Sequence, residues 1–481
     1  MNQLPPPIGA NRVDEPDDPD RDPAVPGASA RVRFIAAAVV LATAIGAGVV
    51  GYRVIAGEDD DSSGNDVAAW NAIAVQDVES SGEITIFDRD GEEVARYDSG
   101  VEPAPSESSG PYLLIGGSQD EAEIVDTRSG ERRELKMDEG EQARFISPPS
   151  SIVAIHQIEG GNVRLIDAES GAVVDVGDAG ELTDPRMMLQ AAQFDPDTGV
   201  VGLIDEGSFQ SLLIEVHDDE EPTFLPGRVV DIGFGSVVAV QPVGPRTTLT
   251  LYDAVTGDEL GGVDTDRASR VFLTDSDTAL VVTGDGELLR VNASQEQPAQ
   301  VASFDVDVSR GLTLDMREAQ RVVLDDRDGS VVVAGWDGEE ILRAEGAIKL
   351  AMRTSIDAMR CIVVVTENDG DDSPLPGGQV AQLFDVETGE PVGERFEIRP
   401  DPLYGSADGC AVSGTSNDGS AVFANADVST KVEDATGQVS PDGEAFLVRG
   451  KDGALELRRF DALDADPVEL PAGLPSFVDR S

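Results

Sequence analysis

Two hydropathy patterns divide the chain. From Phe34 to Tyr52 nineteen residues in succession carry no charge, FIAAAVVLATAIGAGVVGY. A helix needs roughly 20 apolar residues to cross a bilayer core, so this run predicts a membrane span, bounded with its flanks at 34–56. Past residue 68 the pattern changes to short apolar runs separated by Asp, Gly, Ser and Pro, with almost no helical periodicity. Short apolar runs bounded by turn residues predict strands and an all-β domain.

A repeating unit organises those strands. Its best copies are ITIFDRDGEEV (84–94), AEIVDTRSGERREL (122–135), VRLIDAESGAVVDV (163–176), LTLYDAVTGDEL (249–260) and VAQLFDVETGEPV (380–392). Each is an apolar strand ending in Asp, a short variable stretch, a Ser, Thr or Asp before Gly, and a second strand. An Asp carboxylate accepts backbone N–H bonds in such a turn, and Gly supplies the left-handed position that closes it. Asp88, Asp126, Asp167, Asp253 and Asp385 fill the first role; Gly91, Gly130, Gly171, Gly257 and Gly389 fill the second. Weaker copies lie at 212–224, 287–301, 330–344 and 454–470, and one or two further apolar strands precede most copies.

Units of about four strands at a period of about 40 to 50 residues are the signature of a β-propeller. Nine candidate units can be drawn; the usual range of about four to eight blades favours eight four-stranded blades, with seven and nine open. The tail GLPSFVDRS (473–481) is expected to supply a strand that closes the ring. The stretch 401–437 fits the repeat worst and is expected to hold an insertion.

Strand, D-x-x-[ST]-G, strand resembles the PQQ-binding-like propeller repeat of quinoprotein alcohol dehydrogenases, which also occurs in non-catalytic propellers. Ser440-Pro441-Asp442-Gly443 is similar to the turn common in WD40-like periplasmic propellers. The resemblance covers about residues 70–470 and implies fold rather than activity. Repeats of those dehydrogenases carry a Trp in the strand after the Gly; neither Trp70 nor Trp336 sits there. Their quinone site uses a vicinal disulfide, a catalytic Asp and a calcium ion, whereas Cys361 and Cys410 are far apart in this sequence. No cofactor is therefore expected.

Charge sharpens the topology. Arg12, Arg21, Arg31 and Arg33 precede the apolar run, which places the N-terminus in the cytoplasm and the large C-terminal part outside. The chain reads as a disordered cytoplasmic tail (1–33), a transmembrane helix (34–56), an acidic linker (57–67) and an extracytoplasmic propeller (68–481). A cleaved signal peptide is the competing reading of the apolar run. Gly46-Ala47-Gly48-Val49-Val50-Gly51 fits a dinucleotide fingerprint, but it lies within the span and lacks the strand context, so it is set aside. Ala38, Ala42 and Gly46 share a face that permits helix packing.

The chain has 35 Lys and Arg against 93 Asp and Glu, a formal charge of −58. Such a charge repels phosphate and disfavours nucleic acid or anionic lipid as partner. It reads mainly as a solvated acidic surface, with a basic partner or cations as the alternative. Only Lys136, Lys349, Lys431 and Lys451 are lysines, which hints at a GC-rich bacterial genome. Two Cys exclude a disulfide scaffold or a four-Cys zinc site.

Candidate chemistry is thin. Outside the cytoplasm Cys361 and Cys410 are expected to form a disulfide, with two buried thiols as the alternative. His156 reads as a packed strand histidine, and His217 as part of a solvated acidic turn. Asp195, Asp197 and Glu206 match a calcium loop only in part, so weak calcium binding stays open. No catalytic, cofactor or metal residue is assigned. The function expected is a membrane-tethered extracytoplasmic module that binds a protein or ligand on a propeller face. An extracellular hydrolase or lyase acting at the channel mouth and a transmembrane signalling component are the alternatives.

Overall fold

The apolar runs become the middle strands of ten small sheets, antiparallel but for one short added strand, arranged as the blades of a propeller. The computed structural model describes residues 70–479 apart from 78–82, 98–105, 118–121, 147–150, 158–161, 179–192, 196–197, 206–209, 217–221, 244–245, 267, 296, 310, 327–328, 353–355, 357 and 368–377. The expected tail, span and linker, and His217, lie outside these residues. Among the described residues no helix is long and apolar enough to cross a membrane.

Alternation with a period of two explains why whole strands are apolar. In blade one, Ala72 and Ala74 of the strand Ala72–Gln76 pack with Leu113, Ile115 and Val125 of blade two. Ile73 and Val75, on the opposite face, pack with Leu447 and Leu457 of blade ten. A blade flanked on both faces has no solvated side, so its central strands read as continuous apolar runs. Ten such clusters each join successive blades, and the cluster of blade ten with blade one closes the ring. Each buried Leu, Val or Phe contributes about 1.5–3 kcal/mol.

Closure uses both ends of the domain. Blade one takes Ala72–Gln76, Ile84–Asp88 and Glu93–Tyr97 from its start. Its innermost strand is Leu474–Val478, paired antiparallel with Ala72 opposite Val478 and Gln76 opposite Leu474. The tail therefore supplies the closing strand.

The repeat turns follow their local chemistry. Asp126 Oδ1 accepts the N–H of Arg128 at 2.8 Å, and Gly130 donates to the Asp126 carbonyl at 2.8 Å. Asp253 and Asp385 each accept two turn N–H groups, from Val255 and Thr256 and from Glu387 and Thr388. The first copy is one residue shorter: Asp88 accepts from Asp90 and Glu92, and Gly91 donates to the Asp88 carbonyl. Gly130 has a φ of +75°, and a Cβ there would lie 2.3 Å from Tyr97 on the outer strand of blade one. The other four repeat glycines face the preceding blade's outer strand in the same way, meeting Val468, Arg133, Thr223 and Ile341. The turn glycine thus also docks one blade on the next, by letting the neighbour's outer strand approach.

The expected eight blades are corrected to ten. Residues 401–437 hold no insertion. Leu403–Gly405, Ala411–Thr415, Ala421–Asn425 and Ser429–Val432 form blade nine, with Ala351–Met352 added in parallel on its inner edge. Its outer turn replaces the Asp with Asn425, whose Oδ1 accepts from Asp427 and Val428 at 3.0 and 2.9 Å, and has no glycine. The amide oxygen performs the carboxylate's task, so the blade lacks the repeat's signature. The nine units found in the sequence correspond to the other nine blades.

Candidate functional site

Strand polarity gives the propeller two chemically distinct faces. In every blade the turn between the first and second strands and that between the third and fourth emerge on one face. The repeat turns lie there, which makes it the turn face. Asp88, Asp126, Asp167, Asp253 and Asp385 are thereby spread around the ring, one per blade, rather than brought together. Each is engaged by its own turn.

Three side-chain sets on this face combine an arginine, an aromatic ring and a carboxylate. At the seam of the ring the Arg89 guanidinium lies 4.6 Å from the Trp70 ring centre and binds Asp442 at 2.7 Å. Trp70 Nε1 donates to the other Asp442 oxygen at 2.7 Å, and Trp70 meets Phe477 edge-on at 4.9 Å. Asp442 belongs to the Ser440–Gly443 turn of blade ten, so this set fastens blade one to blade ten. On blade two Arg128 lies over Tyr112 at 5.5 Å and pairs with Asp126 at 3.2 Å. Burial alone raises the Asp126 pKa, but the Arg128 side chain and N–H outweigh it and hold it below the usual value. Burial pushes the Tyr112 phenol up.

The third set lies nearest the channel mouth. Arg317 of blade seven reaches past blade six to Asp231 of blade five at 2.6 Å, and lies 3.6 Å from Asp315. Its guanidinium is 5.2 Å from the ring of Phe234, and Trp336 Nε1 donates to Asp315 at 3.2 Å. Phe234 has a φ of +56°, between Gly233 and Gly235, a conformation costly for an aromatic residue. Desolvation raises the pKa of Glu318, in the same turn as Arg317, although the residue is exposed.

The fold is a β-propeller. No family model matches the sequence, and no curated protein does. Solved structures similar in fold include the dihydro-heme d1 dehydrogenase NirN in complex with DHE, at 12% identity and a TM-score of 0.41, over 73% of this chain and 78% of that one. The C-terminal WD40 domain of Sif2 gives 10% and 0.37, over 72% and 95%. BamB from Moraxella catarrhalis gives 18% and 0.31, over 58% and 86%. No residue role is carried over from any of them.

The remaining candidates find structural places. Cys361 and Cys410 are bonded, with Cα atoms 4.9 Å apart, joining the strand Cys361–Glu367 of blade eight to the turn before Ala411–Thr415 of blade nine. His156 is buried in the strand Ile152–Gln157. Asp195 is fully buried; it accepts from Thr198 Oγ1 and from Gly235 N of blade five, both at 3.0 Å, and so closes a turn and bridges two blades. Asp197 and Glu206 lie outside the described residues. Among the described residues no group of three or more His, Cys, Asp or Glu side chains is placed to hold a metal. Sequence reasoning missed the arginine–aromatic sets because their members come from distant blades; the one local sign was Gly233-Phe234-Gly235 at the end of an apolar strand.

Proposed function

We propose that the protein is a membrane-tethered extracytoplasmic propeller whose turn face binds a protein partner. The observation that carries this reading is the gathering of Arg89 with Trp70, Arg128 with Tyr112, and Arg317 with Phe234 on that one face. Aromatics are 5% of the chain, so three such pairs on one face concentrate a scarce residue type. Trp70 and Tyr112 are themselves buried, so the accessible members of these sets are Arg89 and Arg128, and arginine is among the types that dominate binding hot spots. Phe234, held in a costly conformation beneath Arg317, adds a strained residue at the channel mouth, and propellers engage ligands where loops from many blades converge. The tether rests on the uncharged run 34–52 and the arginines before it.

Photo-crosslinking in intact cells tests this directly. A photoreactive residue in place of Glu387, on the turn face, is expected to trap one reproducible protein partner. The same residue in place of Asp452, on the opposite face of blade ten, is expected to trap none. Equal trapping at both positions, or none at Glu387, contradicts the reading. Protease added to cells with permeabilised outer layers is expected to digest the C-terminal domain and spare the tail; the reverse contradicts the topology.

A further inference from the structure

The inner strand of each blade leaves one row of backbone groups facing the channel, unpaired by its own sheet. Blades two to five treat that edge in a shared way. Glu107, Arg144, Gln193 and Asp231 lie on successive inner strands, opposite Leu114, Ala154, Gly202 and Val238. Each of those partners is the third residue of its strand, so the four side chains form one layer. Three of them reach the next blade's inner strand. Glu107 accepts from Phe145 N at 3.2 Å, Gln193 Nε2 donates to Val230 O at 3.1 Å, and Asp231 accepts from Leu273 N at 2.6 Å.

Arg144 breaks the series. Its Nε is buried with no hydrogen-bond partner, although the residue as a whole is half-buried. Burial lowers its pKa, countered only by the charge of Glu107. Nε alone is buried without a partner; leaving such a donor unpaired is costly, and Glu107 is the neighbouring carboxylate that favours the charge. On the adjoining inner strand Gln193 Oε1 is likewise buried without a donor. Two neighbouring positions of one layer thus leave a charged donor and a neutral acceptor open.

We propose that Arg144 and Gln193 form a binding site in the channel wall for a small carboxylate that also carries a hydrogen-bond donor, as an α-hydroxy or α-amino acid does. The carboxylate meets the planar fork of Arg144, for which its two oxygens are matched. The hydroxyl or amino group donates to Gln193 Oε1. A single carboxylate suits the site better than phosphate, because the field of a −58 chain opposes each added negative charge.

Calorimetric titration of the full-length chain in detergent tests this with lactate, glycine, acetate and phosphate at matched ionic strength. Lactate or glycine is expected to bind at least roughly tenfold more tightly than acetate or phosphate. Arg144→Gln is expected to abolish binding, and Arg144→Lys to weaken it by losing the fork while keeping the charge. Gln193→Leu is expected to remove the preference over acetate and leave acetate binding in place. The proposal is overturned if the native chain binds none of the four, if phosphate is preferred, or if Arg144→Gln binds as well as the native chain. Should Arg144→Gln fail to fold, an unchanged preference in Gln193→Leu overturns it alone.

Discussion

Blade two and the arc from 406 to 443 make equivalent tight turns with different residues. In blade two Asp126 begins the turn and Gly130 ends it. In the arc the unit is Ser-x-Asp-Gly, at 406–409, 416–419 and 440–443. There the serine hydroxyl donates to the Asp carboxylate, at 2.6 Å for Ser406 and for Ser440. That carboxylate accepts the N–H two residues on, from Cys410, Ser420 and Glu444. Serine oxygens also accept from Ala411 and Ala445. The Asp418 carboxyl is held well below the usual range, chiefly by the Ser416 hydroxyl. What both arcs share is an oxygen within reach of the turn's N–H groups. The comparison teaches that the blade is specified by this demand and by apolar alternation, and that the repeat motif is one of several ways to meet it.

The arcs differ in how they hold neighbouring blades together, and variants separate the two. Deleting 474–481 removes the inner strand of blade one and with it Phe477 and Val478. Stability is expected to fall by more than about 5 kcal/mol, enough to abolish cooperative thermal unfolding followed by circular dichroism. In the irregular arc Phe423 stacks on Phe446 at 4.3 Å, both fully buried between blades nine and ten. Phe423→Ala is expected to cost about 4 kcal/mol in urea denaturation.

Next comes the disulfide, which spans 49 positions and lies beside the irregular arc. Cys361→Ser with Cys410→Ser is expected to cost about 3 kcal/mol. Mass spectrometry of the native chain is expected to show no alkylatable thiol before reduction, and two free thiols would refute the pairing. In the regular arc Gly130→Ala is expected to cost about 2–3 kcal/mol, because it combines a left-handed φ with a clash against Tyr97. Gly110 also has a positive φ but open space around it, so Gly110→Ala is expected to cost about 1 kcal/mol. Equal costs at the two positions would show that these glycines close turns without docking blades.

The smallest effect is expected at Asp167. Burial raises its pKa, but Ser151 and Ser170 hydroxyls and the N–H groups of Glu169 and Ser170 prevail, so the folded value lies below the unfolded one. Its contribution is therefore present above about pH 4 and lost as pH falls through the folded pKa. Asp167→Asn is expected to cost about 1 kcal/mol at pH 7, with the difference from the native chain shrinking in acid. Asn425 already shows an amide oxygen in this role, which is why the cost is small.

These differences also explain what was legible in the sequence. Asp126, Asp253 and their counterparts announce themselves because Asp and Gly at fixed spacing have a local physical meaning. The closing strand was legible because the tail presents Leu474, Phe477 and Val478 where the first unit lacks a strand. Blade nine was hidden by Asn425 and the missing glycine, which left nine units in view, and the usual range of about four to eight blades drew the expected count down to eight. Trp70 and Asp442 are 372 positions apart, so no local pattern could pair them. Arg144 is hidden for another reason: within Glu141–Phe145 it reads as an ordinary polar alternate, and only the layer formed with Glu107, Gln193 and Asp231 makes it an exception.

The ring closes with ten blades, the first completed by the strand Leu474–Val478. A density map of the full-length protein, viewed down the channel at a resolution that separates blades, tests it most directly. Ten blades are expected, with the innermost strand of one built from Leu474–Val478. Eight or nine blades, or a final strand left outside the ring, would contradict it.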